Sequence, residues 1–112
     1  MNKIERRLRR KRGIRKKIYG TAEKPRITVF KSNRYIYVQA IDDDRGHTLC
    51  TSSNLKLKEK KTVDGASKVG EDLGKKLLEL KIEKAVFDRN GYVYHGLVKA
   101  LADGVRKAGI KM

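Results

Sequence analysis

The chain has 112 residues, 38% hydrophobic and 38% charged, enough for one domain with a modest core under a heavily charged surface. Its 29 Lys and Arg against 13 Asp and Glu give a net charge of +16, which draws in polyanions over long range, nucleic acid before anionic membrane. A single cysteine excludes an internal disulfide, two histidines far apart offer no Cys/His metal spacing, and no apolar run nears the roughly 18 residues that span a bilayer.

The charge is uneven. Residues 1–20 hold ten basic groups and one acid, Glu5, for +9, more than half of the net charge in less than a fifth of the chain. That asymmetry predicts a basic arm over residues 1–24 ahead of a globular domain over residues 25–112. The arm lacks an apolar stretch behind its charges, so it is not a secretion signal, and the chain is expected in the cytoplasm. Ile4, Leu8, Ile14 and Ile18 fall within an arc of about 120° on a helix, with Arg6, Arg7, Arg9, Arg10, Lys11, Arg12, Arg15, Lys16 and Lys17 on the other faces. Like charges at i and i+4, and Gly13 in the middle, oppose helix formation. The arm is therefore expected to be disordered alone and helical once phosphates neutralise it.

Beyond Pro25, residues 26–30 read as a strand, residues 31–34 as a turn, and Tyr35 to Ile41 as a second strand. Alternation in that strand puts Tyr35, Tyr37 and Gln39 on one face and Ile36, Val38 and Ala40 on the other. Asp42 to Gly46 form a turn and Thr48 to Ser53 a third strand; short turns argue for an antiparallel meander. After a lysine-rich loop over residues 56–61, Thr62 is a plausible N-cap for a helix to Leu80. Its stripe is Ala66, Val69, Leu73, Leu77 and Leu80, and Gly70 and Gly74 are expected to let it lie close against the sheet. A short strand from Lys84 to Asp88, a turn from Arg89 to Tyr94 and a helix from His95 to Ala108 complete the chain, with Gly109 as the C′ residue. The expected fold is α/β (mixed α+β), β-β-β-α-β-α, a mixed sheet with a right-handed crossover and helices on one face. The other face is left open as a platform for a partner.

Nothing in the sequence supports catalysis, a small-molecule substrate or a cofactor. GxGxxG, GxxxxGK[ST] and GxSxG are absent. Asp42, Asp43 and Asp44 read as turn residues rather than as metal ligands. His95 has no partner at a recognisable spacing, and Cys50 has no neighbour that would activate it. A membrane-surface role for the arm is disfavoured by its thin apolar face without Trp or Phe.

The nucleic-acid signals are stronger. Lys31, Ser32, Asn33, Arg34, Tyr35, Tyr37 and Gln39 share one hairpin, and basic groups, amides and same-face tyrosines suit a sugar-phosphate surface with exposed bases. A second cluster, Arg89, Tyr92, Tyr94, His95 and Gly96, lies in the turn after the fourth strand. There glycines permit close approach to a phosphate, and a following helix can offer its N-terminal amides. From Pro25, the segment PRITVFKSNRYIYVQAIDDDRGHTLCTSS resembles the large-subunit ribosomal protein eighteen family, as does FDRNGYVYHGLVKALADGVRKAGIKM from Phe87. Together they cover most of the domain, and the arginine-rich arm fits the bacterial form.

The resemblance implies that the arm and the open sheet face grip 5S rRNA and help attach it to 23S rRNA, near ribosomal protein five in the central protuberance. The sequence departs from the family pattern at Asn90, where a glycine is usual, and at Leu97, where an arginine is usual. The phosphate contact expected at position 97 is then absent or supplied by Lys99. The alternative is a general nucleic-acid-coating protein without 5S selectivity.

Overall fold

The computed structural model describes residues 2–15 and 18–112, the side chains of residues 13–15 excepted. Seven elements follow in order: α1 (Lys3–Arg15), β1 (Arg26–Lys31), β2 (Ile36–Asp42), β3 (His47–Ser53), α2 (Val63–Glu79), β4 (Val86–Asp88) and α3 (Leu97–Lys107). The β-β-β-α-β-α order expected for the domain is present, with one helix ahead of it.

The sheet runs β3-β2-β1-β4, antiparallel across the first three strands and parallel between β1 and β4. A register shift at Ala40/Ile41 marks a bulge between β2 and β3. The period-2 alternation of β2 reappears as alternating burial, with Ile36, Val38 and Ala40 fully buried. Ile27 and Val29 of β1 join them, and α2 and α3 close the core from that side with Val69, Leu73, Leu77, Val98, Leu101 and Val105. Thr62 caps α2, its hydroxyl accepting from the Gly65 amide at 3.1 Å. Gly109, at φ +116°, ends the second domain helix as expected.

Gly70 and Gly74 do not serve contact with the sheet. A Cβ on Gly70 would strike the Leu101 carbonyl oxygen, and one on Gly74 would meet the Ala108 Cβ and the Val105 carbonyl, all within or just past α3. Gly104 returns the contact against the Ser67 carbonyl. The glycines therefore let two helices approach backbone to backbone. Gly70→Ala is expected to destabilise the fold by about 1–3 kcal/mol, because an immovable carbonyl occupies the space. Urea unfolding checks this, and an unchanged midpoint contradicts it.

Candidate nucleic-acid interface

The turn after β4 is the centre of the site. Asn90 lies fully buried at φ +54°, a left-handed conformation that asparagine tolerates better than most residues. Its amide donates to Asp88 Oδ1 at 2.8 Å, and its side-chain Nδ2 donates to the Val29 carbonyl at 3.0 Å. Asparagine thus keeps the backbone freedom of a glycine there and adds a tie to β1. Gly91 follows at φ +77°.

The arm docks on this turn. Asn2 caps α1, its Oδ1 accepting from the Glu5 amide at 2.8 Å while its Nδ2 donates to Glu5 Oε1 at 3.3 Å. Arg7 Nε then donates to the Asn90 carbonyl at 3.2 Å, and Arg10 Nε to the Gly91 carbonyl at 2.8 Å. A Cβ on Gly91 would collide with the Arg7 carbonyl and press Lys11 Cβ at 3.1 Å. The close approach that glycine permits here is to α1.

The arm forms the helix α1 and docks through its arginine face, leaving the apolar stripe outward, with Ile4 71% and Leu8 43% exposed. Arg6, Arg9 and Arg12 are exposed as well. Lys16 and Lys17 lie outside the described residues, as do the side chains of Ile14 and Arg15. The chain from Tyr19 onward is already bonded to the domain: the Gly20 amide donates to Asp43 Oδ2 at 2.7 Å, and the Tyr19 hydroxyl donates to Asp44 at the same distance.

Tyr92 joins the arm to the hairpin. The Arg7 guanidinium sits 4.1 Å from its ring centroid and the Lys31 ammonium 5.2 Å. Its hydroxyl accepts from the Lys31 amide at 3.1 Å and lies 3.3 Å from the Lys31 carbonyl, to which it can donate. Ring and hydroxyl are therefore both engaged within the chain, and Tyr92 acts by placing Arg7 and Lys31. Burial, and then the neighbouring Lys61 ammonium, hold the Lys31 ammonium below its ordinary pKa.

From Lys31 the basic edge continues into the exposed tip Ser32, Asn33, Arg34 and Tyr35. Tyr37 and Gln39 are half-buried on the open face, where Phe30 pairs with Tyr37 in register, ring centroids 6.1 Å apart. Phe30 was legible as part of this face from its parity opposite Ile27 and Val29. Tyr94 lies apart from Tyr92: its ring meets Phe87 edge-on at 6.1 Å and its hydroxyl accepts from Arg106 at 2.9 Å. These three residues line one groove with Ile18 and Arg89. His95 and Lys99 are exposed, and Gly96, at φ +59° with open space around it, precedes α3 without a side-chain cap. Leu97 packs against the edge of the core, so Lys99 is the outward cation of that turn.

The other candidate groups have local uses. Asp43 receives Arg26, and Asp42 Oδ1 accepts from the Asp44 amide at 3.0 Å. Among the described residues no group of three His, Cys, Asp or Glu could hold a metal, and no helix is long and apolar enough to cross a membrane. Burial, slightly offset by Lys76, pushes the Cys50 thiol from 9.0 up to about 11. An acid whose pKa rises on folding adds stability below the unfolded value and loses it as pH climbs through the folded one. Stability should therefore fall between about pH 9 and about pH 11, and iodoacetamide should label native Cys50 far more slowly than the denatured thiol at pH 8. Equal labelling rates would contradict this.

The family described as Ribosomal L18 of archaea, bacteria, mitochondria and chloroplast matches residues 1–112. The chain belongs to this family. Among its relatives, the Large ribosomal subunit protein uL18 of Thermotoga petrophila is 53% identical over 116 residues, covering 98% of this chain and 95% of that protein. The proteins of the same name from Campylobacter hominis and Treponema denticola are 56% and 55% identical, each covering 98% of this chain and 93% and 94% of their own lengths. The chain is thus a protein of the large ribosomal subunit, a ribonucleoprotein particle.

Proposed function

We propose that the chain is a structural, non-catalytic constituent that binds 5S rRNA and helps attach it to 23S rRNA in the central protuberance, beside ribosomal protein five. The observation that carries this reading is the junction at Tyr92. It joins a docked arginine-rich helix, a left-handed turn and a hairpin tip into one basic edge. A continuous edge of this kind fits a folded RNA better than it fits an arbitrary polyanion.

The division of labour follows from the chemistry. Arg6, Arg9 and Arg12 on α1 meet phosphates and supply affinity that depends steeply on salt. The open face with Phe30, Tyr37 and Gln39, and the turn with Arg89, Tyr94, His95 and Gly96, read the shape of the RNA and its unpaired bases. Filter retention of transcribed 5S rRNA in the presence of excess tRNA tests the reading. Retention should survive the tRNA. Competition in proportion to added tRNA would leave only a general coating protein.

A further inference from the structure

A second basic surface, the lysine loop after β3, faces the hairpin tip and belongs to none of the clusters above, although Arg34 and Tyr35 of the tip form the opposite wall. An open groove of about 460 Å³ runs between Arg34 and Tyr35 on one side and Leu55, Lys58, Lys60 and Lys61 on the other. Its size falls within the roughly 300–1,000 Å³ usual for small-ligand sites.

The groove is built rather than accidental. Asn54, 3% exposed, forms its base: Oδ1 accepts from the Ile36 amide at 2.8 Å, and Nδ2 donates to the Arg34 and Glu59 carbonyls at 3.2 Å each. One buried amide thus fixes the lysine loop to the hairpin. Lys61 Nζ adds a bond to the Ser32 carbonyl at 2.6 Å. Lys58 holds a left-handed backbone at φ +57° that turns the loop back.

The charge is unbalanced. Glu59, the one acid lining the groove, is paired with Lys68 at 3.1 Å. Arg34, Lys58 and Lys60 have no acidic partner among the described residues. Tyr35 is 44% exposed at the rim, and its ring and hydroxyl have no partner among the described residues. Leu55, 62% exposed, supplies apolar surface across from it. Unpartnered cations beside a free aromatic face suit a phosphate with its base stacked, which a duplex cannot offer because its bases are already stacked.

We infer that this groove takes an unpaired nucleotide of RNA, its phosphate on Lys58 and Lys60 and its base on Tyr35. The site rests on the reading of the chain as an RNA binder, but it is separate from the arm, which meets phosphates of any strand.

The test uses the full chain with two RNA probes, a stem with a single-stranded loop and a blunt duplex of equal stem length. Tyr35→Ala should weaken binding to the looped RNA about tenfold and to the duplex less than twofold. Lys58→Gln with Lys60→Gln should lower the salt slope on the looped RNA by about two and leave the duplex slope unchanged. All three side chains are exposed, so circular dichroism should report an unchanged fold. Equal losses on both probes, or unchanged binding to the looped RNA, would overturn the groove and leave it to a protein partner. Because neither probe is 5S rRNA, these results do not depend on 5S selectivity. Failure of the unaltered chain to bind either probe would overturn the RNA reading and the groove together.

Discussion

Replacing Arg6, Arg9 and Arg12 together by glutamine should lower affinity for 5S rRNA roughly a hundredfold or more at about 0.1 M salt, and should reduce the salt slope by about three. These three side chains are exposed on α1, whereas Arg7 and Arg10 spend their Nε donors on the turn carbonyls of Asn90 and Gly91. The triple variant therefore keeps the arm docked while removing charge aimed outward. Arg10→Met makes the complementary change. It removes one cation and the 2.8 Å bond that seats the helix, so the arm should exchange its amide hydrogens faster in the free protein. Titration with labelled RNA over a salt series reads the first effect and hydrogen exchange reads the second. A triple variant with an unchanged slope would show that phosphates bind elsewhere.

Arg26→Ala should cost about 3–5 kcal/mol of folding stability, with the loss appearing as a large drop in urea midpoint. Its guanidinium is nearly buried and donates to two carboxylates: to Asp43 through Nε at 3.0 Å and Nη2 at 3.1 Å, and to Asp88 through Nη1 at 2.8 Å. The Asp88 side chain is 1% exposed and also accepts from the Asn90 amide. Removing the arginine leaves that charge buried without a cation and loosens the turn on which the arm sits. The control is Arg26→Met with Asp88→Asn, which removes the charges at both ends of this bond and should recover part of the loss. If Arg26→Ala unfolds at the same urea concentration as the unaltered chain, the triad contributes nothing to the fold.

Much of the architecture was legible because burial of apolar side chains dictates it. The alternation of Ile36, Val38 and Ala40 against Tyr35, Tyr37 and Gln39 fixed which side of β2 faces the core. The stripe did the same for α2 from Ala66 to Leu77, but Leu80, read as its last member, caps the helix and is 51% exposed. Thr62 and Gly109 marked helix ends through local backbone chemistry. What was not legible is contacts between groups distant in sequence. Arg7 and Asn90 are 83 positions apart and Arg10 and Gly91 are 81, and no periodicity records that a guanidinium will meet a carbonyl. The thin apolar stripe through Ile4 and Leu8 did not name a docking partner for the arm, which is a turn whose carbonyls accept from arginine. Gly70 and Gly74 signalled a close approach without naming its partner, since the space beside a glycine does not distinguish a sheet from a helix.

The site was half legible for the same reason. Composition identified three clusters, the basic arm, the hairpin tip and the turn, the last two with tyrosines, and each contains exposed residues suited to RNA. Their union at Tyr92 could not be read, because it depends on the parallel pairing of β4 with β1 that brings residue 92 beside residue 31. The lysine loop was seen only as a loop, because Asn54, which binds it to the hairpin, carries no local sign of that role. Arg106 was not singled out at all, yet it holds the Tyr94 hydroxyl.

The central claim is that the arm, the turn after β4 and the hairpin tip form one RNA-binding edge. Side-chain oxidation footprinting of the full chain, free and bound to 5S rRNA, tests it most directly. Tyr35, Tyr94, His95 and Leu8 should lose reactivity together on binding, while the exposed Leu78 and Leu80 at the far end of α2 keep theirs. Protection of Leu78 and Leu80 with Tyr35, Tyr94 and Leu8 unchanged would contradict the account and move the RNA to the helical side of the molecule.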